Sequence, residues 1–507
     1  MPKIQKNKLS FVGVLLIAIL VFAFFMRVYR IDYALGFYFD QGRDALAIWD
    51  LIRNHKFFLI GPTTGIAGIF RGPFYYYLIA PFYLIGQGNP LYPSIFLSLT
   101  SVAALALLFK LTRKIIGAPG ALMATLIGAG SFYIILASRW LSNPTPMLLL
   151  SMALIYSMFL ILEGKKWAWI AIGFISGTSL FHFGSSGEFF YFPALAIFFL
   201  WQTKPWSSKR NLPSFTICVL TVLAFLSTAA PLVLFDVRHD HILWNNVKAF
   251  LFEKGSFKGN FMDVLRVRFD FYYSVFASKL FETRNNREII LMIIPIVGIL
   301  TQAKKLFTNK YFLSVFLLFM SPIIGLLFFQ GNEGNIYDYY LTGYYLVFIL
   351  LFSVGLGVVY KSTFGKIFLV VFFYVFLQSN LAITFSRLND NGDGENTIIF
   401  ANQKQALDWI YQDASGSEFN TDVYVPPVIP YAYDYLFTWY SQSRNGWVHN
   451  GELSRLYTLY EEDPPHPERL LAWKKRQEGI GKILYEKKFG GITVQRRERI
   501  PQKTNEK

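Results

Sequence analysis

A series of long apolar segments constrains this chain more than any other feature. Residues 11–26, 215–235, 311–329 and 367–383 carry no Lys, Arg, Asp or Glu. Each approaches or reaches the roughly 20 residues that an α-helix needs to cross a bilayer. Of the 507 residues, 54% are hydrophobic and only 16% are charged. Because a water-soluble domain of this composition would expose too much apolar surface, the sequence predicts an all-α polytopic membrane protein.

Basic residues in short loops predict how the chain crosses the membrane, because they favour the cytoplasmic side. Arg27 and Arg30 directly follow the first apolar run, without a small-residue cleavage site, so this run is expected to remain as the first helix. Lys3, Lys6 and Lys8 precede this helix and place its start on the cytoplasmic side, and basic pairs mark further cytoplasmic turns at 113–114, 165–166, 209–210 and 304–305. The segments predicted on the outer side are 138–146, 184–187, 236–286, 330–337 and 385–507.

One region, residues 73–112, leaves the number of crossings open. Two apolar stretches meet there at residues 86–90, although an odd number of crossings is required. Residues 73–85 enter the membrane without crossing, or three crossings are tightly spaced, or the basic pair at 113–114 breaks the rule. We expect about 11 helices, with 13 as the alternative.

The last part of the chain differs from the rest in charge and composition. Residues 385–507 carry 16 Lys and Arg against 17 Asp and Glu, so the preceding part, with 32 against 15, holds the whole positive excess of the chain. We predict a transmembrane domain over 1–385 and a soluble extracytoplasmic α/β domain over 386–507. In the second domain we expect a helix near 403–411 and strands near 422–425, 482–485 and 491–495.

The positive charge favours lipid rather than nucleic acid as a partner. Much of it lies in cytoplasmic turns that face anionic headgroups. Several arginines also lie in predicted outer loops, where orientation alone would not favour them. Outward-facing cations beside a bilayer are suited to a phosphate-bearing lipid substrate.

The first outer loop combines charges in a pattern that suggests a site. Asp40, Arg43 and Asp44 are spaced i, i+3 and i+4, so they share one face of a helix that is too short and too charged to span the membrane. Such a helix would lie along the interface, with Arg43 keeping both carboxylates ionised. The alternative is a surface helix with solvated ion pairs.

A second motif follows at residues 70–77, where Phe70-Arg71-Gly72-Pro73 leads into an aromatic run. An acidic residue in the first outer loop, an amphipathic helix and this basic-Pro-aromatic signature resemble the GT-C membrane glycosyltransferases of the family 39 type. That group includes the dolichyl-phosphate-mannose protein mannosyltransferases and the bacterial aminoarabinose transferases. The resemblance covers residues 10–385 in architecture and is specific only in the first loop.

The resemblance implies roles for three residues. Asp40 matches the family's catalytic carboxylate, Arg43 a nearby basic residue, and Arg71 the lysine by which aminoarabinose transferases contact the donor phosphate. Gly72-Pro73 replaces Pro-Pro, and Phe70 stands where those transferases have a second acidic residue. A closer likeness is to bacterial family 39-like transferases of unassigned acceptor. These differences from the aminoarabinose transferases put the identity of the acceptor in question more than the type of reaction, because a guanidinium group can replace an ammonium group in binding phosphate.

The expected reaction needs these residue types. Inverting transfer of a hexose or pentose from a polyprenyl-phosphate donor requires a carboxylate that takes the acceptor's proton. It also requires cations that offset charge on the departing phosphate. Asp40 is the predicted catalytic base, and the predicted substrate-binding residues are Arg43, Asp44, Arg71, Arg139, Asn143, His182, Arg238, His239 and Tyr339.

The substrate-binding candidates outside the first loop have structural alternatives. Arg139 can hold phosphate or extend to the headgroups as an anchor. His182, like Glu188 beside the turn at 184–187, can be hydrogen-bonded structure. Arg238 and His239 can anchor the chain to headgroups, and Tyr339 can belong to an aromatic belt.

Further expectations concern partners and cofactors. We find no phosphate loop, His-Glu-x-x-His or paired Cys-x-x-Cys motif in the sequence. No cofactor or metal is required, although a divalent metal is not excluded. The expected partners are a polyprenyl-phosphate-sugar donor, the bilayer, and a glycan, lipid or protein acceptor. We expect the site on the extracytoplasmic side of a bacterial-type plasma membrane. The alternatives are a transporter or flippase of lipid-linked glycan, or a polysaccharide polymerase or ligase.

Overall fold

The computed structural model describes residues 10–66, 68–208, 211–252, 260–329, 334–426, 429–443, 448 and 452–500. Within these residues the α-helices are α1 (Phe11–Val28), α2 (Ile31–Ala34), α3 (Phe39–Asn54), α4 (Phe74–Ile85), α5 (Leu91–Gly130), α6 (Phe132–Arg139), α7 (Met147–Leu162), α8 (Ala168–Thr178), α9 (Ser186–Phe189), α10 (Tyr191–Thr203), α11 (Phe215–Arg238), α12 (Ile242–Phe252), α13 (Phe261–Ser278), α14 (Asn286–Thr301), α15 (Ala303–Thr308), α16 (Lys310–Gly325), α17 (Tyr345–Val359), α18 (Thr363–Asn389), α19 (Phe400–Ala414), α20 (Tyr431–Ser443) and α21 (Pro467–Ile480). The strands are β1 (Asn420–Tyr424), β2 (Arg455–Glu461), β3 (Gly481–Phe489) and β4 (Ile492–Arg499).

The apolar helices account for the membrane-embedded part of the chain. Among the described residues, six helical segments are long and apolar enough to cross a membrane: Phe11–Val28, Leu91–Gly130, Phe215–Arg238, Lys310–Phe328, Asp338–Val359 and Thr363–Asn389. The segment Asp338–Val359 begins with a 3₁₀ turn, Asp338–Tyr344, before α17. Shorter apolar segments are Phe74–Ile85, Met147–Leu162 and Ala168–Phe183, the last of which ends in a π-helical turn, Ser179–Phe183.

Helix α5 is a helical hairpin rather than one straight rod. Gly117 has φ 80° and ψ −177°, a conformation that interrupts the helix and that residues with a Cβ rarely adopt. Beyond it the chain reverses, since a Cβ on Gly128 would lie 2.6 Å from a methyl group of Leu105. The return limb continues into α6. Its end meets the start of α5, where Ser98 Oγ donates to the Ser138 carbonyl at 3.3 Å.

The hairpin bears on the number of membrane crossings between residues 73 and 112, which the sequence left open. Helix α4 has 12 residues, which is about 18 Å of helix and short of the roughly 30 Å hydrocarbon core. The turn after α4 contacts the C-terminal domain, where Trp439 Nε1 donates to the Gln87 carbonyl at 2.9 Å. These observations support the first alternative, in which residues 73–85 enter the membrane without crossing. The total number of crossings stays a prediction.

The C-terminal domain contains one four-stranded sheet with the order β1-β2-β4-β3. Strands β1 and β2 are parallel, and the other two pairs are antiparallel. The strands predicted near 422–425, 482–485 and 491–495 correspond to β1, β3 and β4, and the predicted helix near 403–411 corresponds to α19. The sequence reasoning missed β2, α20 and α21. Helix α18 continues four residues beyond the predicted domain boundary at 385, to Asn389.

The C-terminal domain packs on helix α3 and the residues before it. Gly42 of α3 faces Ala432 of α20 so closely that a Cβ on residue 42 would lie 2.5 Å from the Ala432 Cα. Gln403 Nε2 donates to the Phe37 carbonyl at 2.9 Å. The segment that carries Asp40 is therefore held between the apolar bundle and the C-terminal domain.

Candidate functional site

The first turn of α3 holds a cluster of three charges. Arg43 pairs with Asp40 through Nη1 at 2.8 Å and with Asp44 through Nη2 at 2.8 Å. The Asp40 side chain is 63% exposed, whereas that of Asp44 is 9% exposed. Tyr76 of α4 donates to Asp44 Oδ1 at 2.9 Å. The predicted helix face is present, with Asp44 turned inward and Asp40 left open to solvent.

Burial separates the properties of the two carboxylates. It raises the pKa of Asp44 to about 6, although Arg43 and the Tyr76 hydroxyl act in the opposite direction. Burial alone would lower the pKa of Arg43, but the carboxylates of Asp44 and Asp40 raise it above its ordinary value. Arg43 therefore stays charged and holds Asp40 in place at the solvent-facing side of α3.

The loop after α3 connects this cluster to Arg71. Arg43 Nη1 donates to Thr63 Oγ1 at 3.1 Å. Thr63 lies in a short hairpin in which the Arg71 amide donates to the Pro62 carbonyl at 3.0 Å and the Gly61 amide donates to the Arg71 carbonyl at 2.7 Å. Of the two arginines predicted to bind phosphate, Arg71 is thus a residue of this hairpin, and Arg43 bonds the opposite strand of it at Thr63.

The Arg71 guanidinium is anchored by a turn more than a hundred residues away. It donates to the Gly184 carbonyl and, through Nη2 at 3.5 Å, to Ser185 Oγ. Burial lowers the pKa of Arg71, and the carboxyl group of Glu188 opposes that effect. The Arg71 side chain is half-buried, and a guanidinium whose nearby carboxyl group in the described part of the chain is that of Glu188 retains capacity for an additional anion.

Tyrosines at the start of Asp338–Val359 lie beside both charged groups. The Tyr339 hydroxyl is close enough to interact electrostatically with Arg71 and with Asp40. The rings of Tyr337 and Tyr339 are stacked, with centroids 5.7 Å apart. The Tyr340 hydroxyl would lie 3.6 Å from a Cβ on Gly65, so it approaches the hairpin loop. Asp40, Arg43, Arg71 and Tyr339 therefore converge on one region at the bundle's end.

An ion pair between a buried lysine and a half-exposed aspartate, which sequence reasoning missed, fixes the first residue of this tyrosine segment. Lys279 Nζ lies 3.1 Å from Asp338 Oδ2 and 4.1 Å from the ring centroid of Tyr345. Burial lowers the pKa of Lys279, and Asp338 opposes that effect. The two residues are 59 positions apart, so no local pattern in the sequence could have indicated the pair.

Two other predicted site residues, Arg139 and Asn143, make contacts with backbone groups. Arg139 donates to the carbonyls of Met26 at 3.0 Å and Tyr29 at 2.9 Å, which terminates α1. Asn143 Nδ2 donates to the Phe183 carbonyl at 3.1 Å. These contacts favour structural roles for both side chains, and their predicted roles in substrate binding stay predictions.

His182 is buried and bonded on both ring nitrogens. Nε2 lies 2.7 Å from the Thr228 carbonyl, and Nδ1 accepts from the Phe74 amide at 3.4 Å. The imidazole also stacks on the Phe74 ring, with centroids 3.7 Å apart. This arrangement joins α4 to the helical turn that precedes Gly184, so His182 helps to fix the turn to which Arg71 is bonded.

Arg238 and His239 lie at the end of α11, where the Phe235 ring contacts the ring of Phe70, the neighbour of Arg71, with centroids 6.2 Å apart. His239 is exposed, its Nδ1 lies 2.8 Å from the Phe235 carbonyl, and its ring stacks on Phe235. Among the described residues neither side chain bonds Asp40 or Arg71, and substrate contact by either one stays a prediction. Among the described residues there is no group of three or more His, Cys, Asp or Glu side chains that could hold a metal ion.

Comparison with known proteins identifies the fold. Residues 71–233, less than half of the chain, match the family model of dolichyl-phosphate-mannose-protein mannosyltransferase. The structure is similar to that of ArnT from Cupriavidus metallidurans bound to undecaprenyl phosphate, with a TM-score of 0.60, 11% identity, and 95% of this chain and 97% of that chain covered. The apo state of the same protein gives a TM-score of 0.59 at 11% identity, with the same coverage.

The oligosaccharyltransferase of Archaeoglobus fulgidus is more distant, with a TM-score of 0.49, 13% identity, and 80% of this chain and 58% of that chain covered. No curated protein sequence matches the chain. The expected GT-C-like fold and the resemblance to family 39-type membrane glycosyltransferases are confirmed by the family model and the ArnT-like architecture. These findings support an integral membrane glycosyltransferase of GT-C type.

Proposed function

We propose that this protein transfers a sugar from a polyprenyl-phosphate donor to an acceptor on the extracytoplasmic face of a bacterial-type plasma membrane. The observation that carries the proposal is the convergence of the exposed Asp40 carboxylate with the Arg43 and Arg71 guanidinium groups at one end of an apolar bundle. The ArnT whose fold it shares binds undecaprenyl phosphate, which supports a lipid phosphate as the donor.

The three charged residues fill two roles in the proposed reaction. Asp40 takes the proton from the acceptor hydroxyl or amine as that group forms its bond to the anomeric carbon. The bond from this carbon to the phosphate oxygen breaks at the same time, so the configuration inverts and a polyprenyl phosphate leaves. Arg71 and Arg43 offset the charge on the departing phosphate.

The position of these groups fits a substrate that cannot leave the bilayer. Asp40 lies in the first turn of α3, whose amide groups add a favourable local dipole for an anion. Helices α3 and α4 are too short to span the membrane and lie where the apolar bundle meets the C-terminal domain. A donor whose prenyl chain stays among the apolar helices would present its phosphate at this level. The acceptor, a glycan, lipid or protein, would approach from the aqueous side.

The first experiment separates chemistry from binding at Asp40. Mass spectrometry would follow surface glycans in cells that produce the wild-type chain, Asp40→Asn or Asp50→Asn in place of the native protein. Asp50 is the matched control, because it lies on the same helix, is 41% exposed, and has surface partners, Asn54 at 2.9 Å and Lys56 at 3.6 Å. We expect Asp40→Asn to abolish the product while binding of undecaprenyl phosphate to the purified protein persists. A normal product level with Asp40→Asn would show that Asp40 is not the base.

The second experiment tests the phosphate contact. Arg71→Ala should weaken binding of undecaprenyl phosphate by a factor of about ten or more, because a charged hydrogen bond is worth about 1.5–3 kcal/mol. Arg71→Lys should retain most of the affinity, since an ammonium group can still reach an anion. Equal losses in the two variants, or none in either, would remove Arg71 from the phosphate site.

A further inference from the structure

A buried carboxyl group, that of Glu188, interacts electrostatically with Arg71 and is not used by the proposed reaction. Glu188 is 1% exposed and lies in α9, outside the apolar membrane-spanning segments. Its Oε2 accepts from the Ser185 amide at 2.6 Å, and the Ser185 side chain accepts from the Glu188 amide in return. This capping box shapes the turn whose Gly184 carbonyl and Ser185 hydroxyl hold the Arg71 guanidinium.

The second carboxyl oxygen of Glu188 is enclosed beside Gly343, whose amide interacts with the carboxyl group without forming a hydrogen bond of ordinary geometry. Oε1 is buried and has no hydrogen bond among the described residues, and the same is true of the Tyr191 hydroxyl. A Cβ on Gly343 would lie 2.6 Å from Glu188 Oε1 and 2.8 Å from the Tyr191 hydroxyl oxygen, so only glycine allows the tyrosine segment to approach this closely. The Tyr344 hydroxyl also donates to the Gly187 carbonyl at 2.9 Å.

Glu188 thus connects the Arg71 turn with the segment that carries Tyr339. An unsolvated carboxylate oxygen is costly, so this location favours the protonated form. Burial raises the pKa of Glu188 to about 7, against the opposing effect of backbone amides and Arg71. The charged or titratable groups that interact with it in the described part of the chain are Arg71, Tyr191, Tyr344 and Tyr345. The three phenols are uncharged near pH 7, which leaves Arg71 as its one charged neighbour among them.

We propose that Glu188 is a positioning residue for Arg71, and that its ionisation sets how tightly Arg71 holds the donor phosphate. Protonated, Glu188 keeps the turn in shape and leaves the guanidinium charge to the ligand. Ionised, it competes with the ligand for that charge. The inference rests on the proposed function in one respect, namely that Arg71 binds a lipid phosphate.

The test uses a ligand whose own charge does not change with pH. A phosphate monoester titrates near pH 6, so the probe is a prenyl methyl phosphodiester, which carries one negative charge throughout. Its affinity for the full-length protein in lipid nanodiscs is measured at pH 6 and pH 8. If the bound anion raises the pKa of Glu188 by one unit, the wild-type protein binds about fivefold more weakly at pH 8.

Two substitutions separate charge from shape. Glu188→Gln retains an acceptor for the Ser185 amide but cannot ionise, so its affinity should be equal at the two pH values and close to the wild-type value at pH 6. Glu188→Ala removes the capping box and should bind more weakly at both pH values. The matched control is Glu288→Gln, because Glu288 is 3% exposed and forms an equivalent capping box with Asn285, far from Arg71 in the chain.

The outcomes are distinguishable. A wild-type pH dependence in Glu188→Gln, or in a well-folded Glu188→Ala an unchanged affinity, would overturn the inference while leaving the proposed function intact. If Glu288→Gln flattened the pH dependence as Glu188→Gln does, the effect would not belong to the Arg71 site, and the inference would fail. If Arg71→Ala bound the probe as well as the wild-type protein did, the proposed phosphate site would be wrong and this inference with it.

Discussion

A single methyl group added at Gly42 tests whether packing of the C-terminal domain on α3 stabilises the site. Gly42 lies on α3 between Gln41 and Arg43, and its missing Cβ leaves room for the backbone of α20 at Ala432. Helix propensity alone predicts that Gly42→Ala gains about 1 kcal/mol. The packing predicts the opposite sign, because the new Cβ would lie 2.5 Å from the Ala432 Cα, and backbone atoms cannot rotate away.

The magnitude follows from what must move. Overpacking of a rigid contact costs about 1–3 kcal/mol. Separation of α3 from α20 also strains the hydrogen bonds from Trp439 to Gln87 and from Gln403 to Phe37, each worth about 1 kcal/mol. After the gain in propensity is subtracted, docking of the domain should weaken by about 2–4 kcal/mol.

The assay combines thermal unfolding in detergent with hydrogen exchange of the α3 and α20 amides. Gly42→Ala should lower the melting temperature and increase exchange in both helices. The control is Gly479→Ala in α21 of the same domain, where a Cβ would meet no atom within 4 Å. That variant should be neutral or stabilised by up to about 1 kcal/mol. If Gly42→Ala were as stable as Gly479→Ala, with wild-type exchange, the close contact between α3 and α20 would not exist in solution.

Two further substitutions test buried charges. Burial raises the pKa of Asp44 from 3.8 to about 6, so the folded state binds this proton more tightly than the unfolded state does. The resulting stabilisation of the folded state is about 3 kcal/mol. It is complete below about pH 4 and is lost as the pH rises through 6. Asp44→Asn should flatten the melting temperature between pH 4 and 6, and a wild-type profile would contradict this assignment. Arg139→Ala should cost about 2–4 kcal/mol, because it leaves the Met26 and Tyr29 carbonyls unpaired. Its affinity for undecaprenyl phosphate should stay unchanged, whereas a loss as large as that in Arg71→Ala would make Arg139 a ligand.

Local spacing was sufficient to predict the charged face of α3. Asp40, Arg43 and Asp44 are brought together by helical geometry alone, and the structure pairs them as the i, i+3 and i+4 pattern predicts. The same pattern could not predict that Asp44 is buried and Asp40 exposed. That difference depends on Tyr76, which reaches Asp44 from another helix.

Helix α20 shows why the sequence did not predict part of the C-terminal domain. Its sequence, Tyr431–Ser443, is rich in aromatic residues, which favour strands by intrinsic propensity. In the structure this segment is a helix, and Tyr433, Tyr435 and Leu436 are completely buried. Tertiary burial against α3 therefore overrides the local preference, and no single-sequence pattern contains that information.

Long-range contacts account for the remaining differences at the site. Arg71 meets Gly184 across 113 positions, and Arg139 meets Tyr29 across 110. In the sequence these are two arginines at outer helix ends with the same predicted role. The structure separates them by their surroundings: Arg139 bonds backbone carbonyls at the end of α1, whereas Arg71 lies beside Glu188 and the tyrosine segment.

Helix α3 joins the two domains in a way that explains why the site needs both. One side of the helix carries Arg43 and Asp44, which bond the hairpin loop and Tyr76 of α4. The neighbouring residue Gly42 carries no side chain and admits the backbone of α20. A helix of 16 residues would have a poorly defined tilt if its Gly42 side lacked the contact with α20. The C-terminal domain therefore fixes the position of Asp40 relative to Arg71, and catalysis should depend on domain docking even though the domain supplies none of the proposed charged groups.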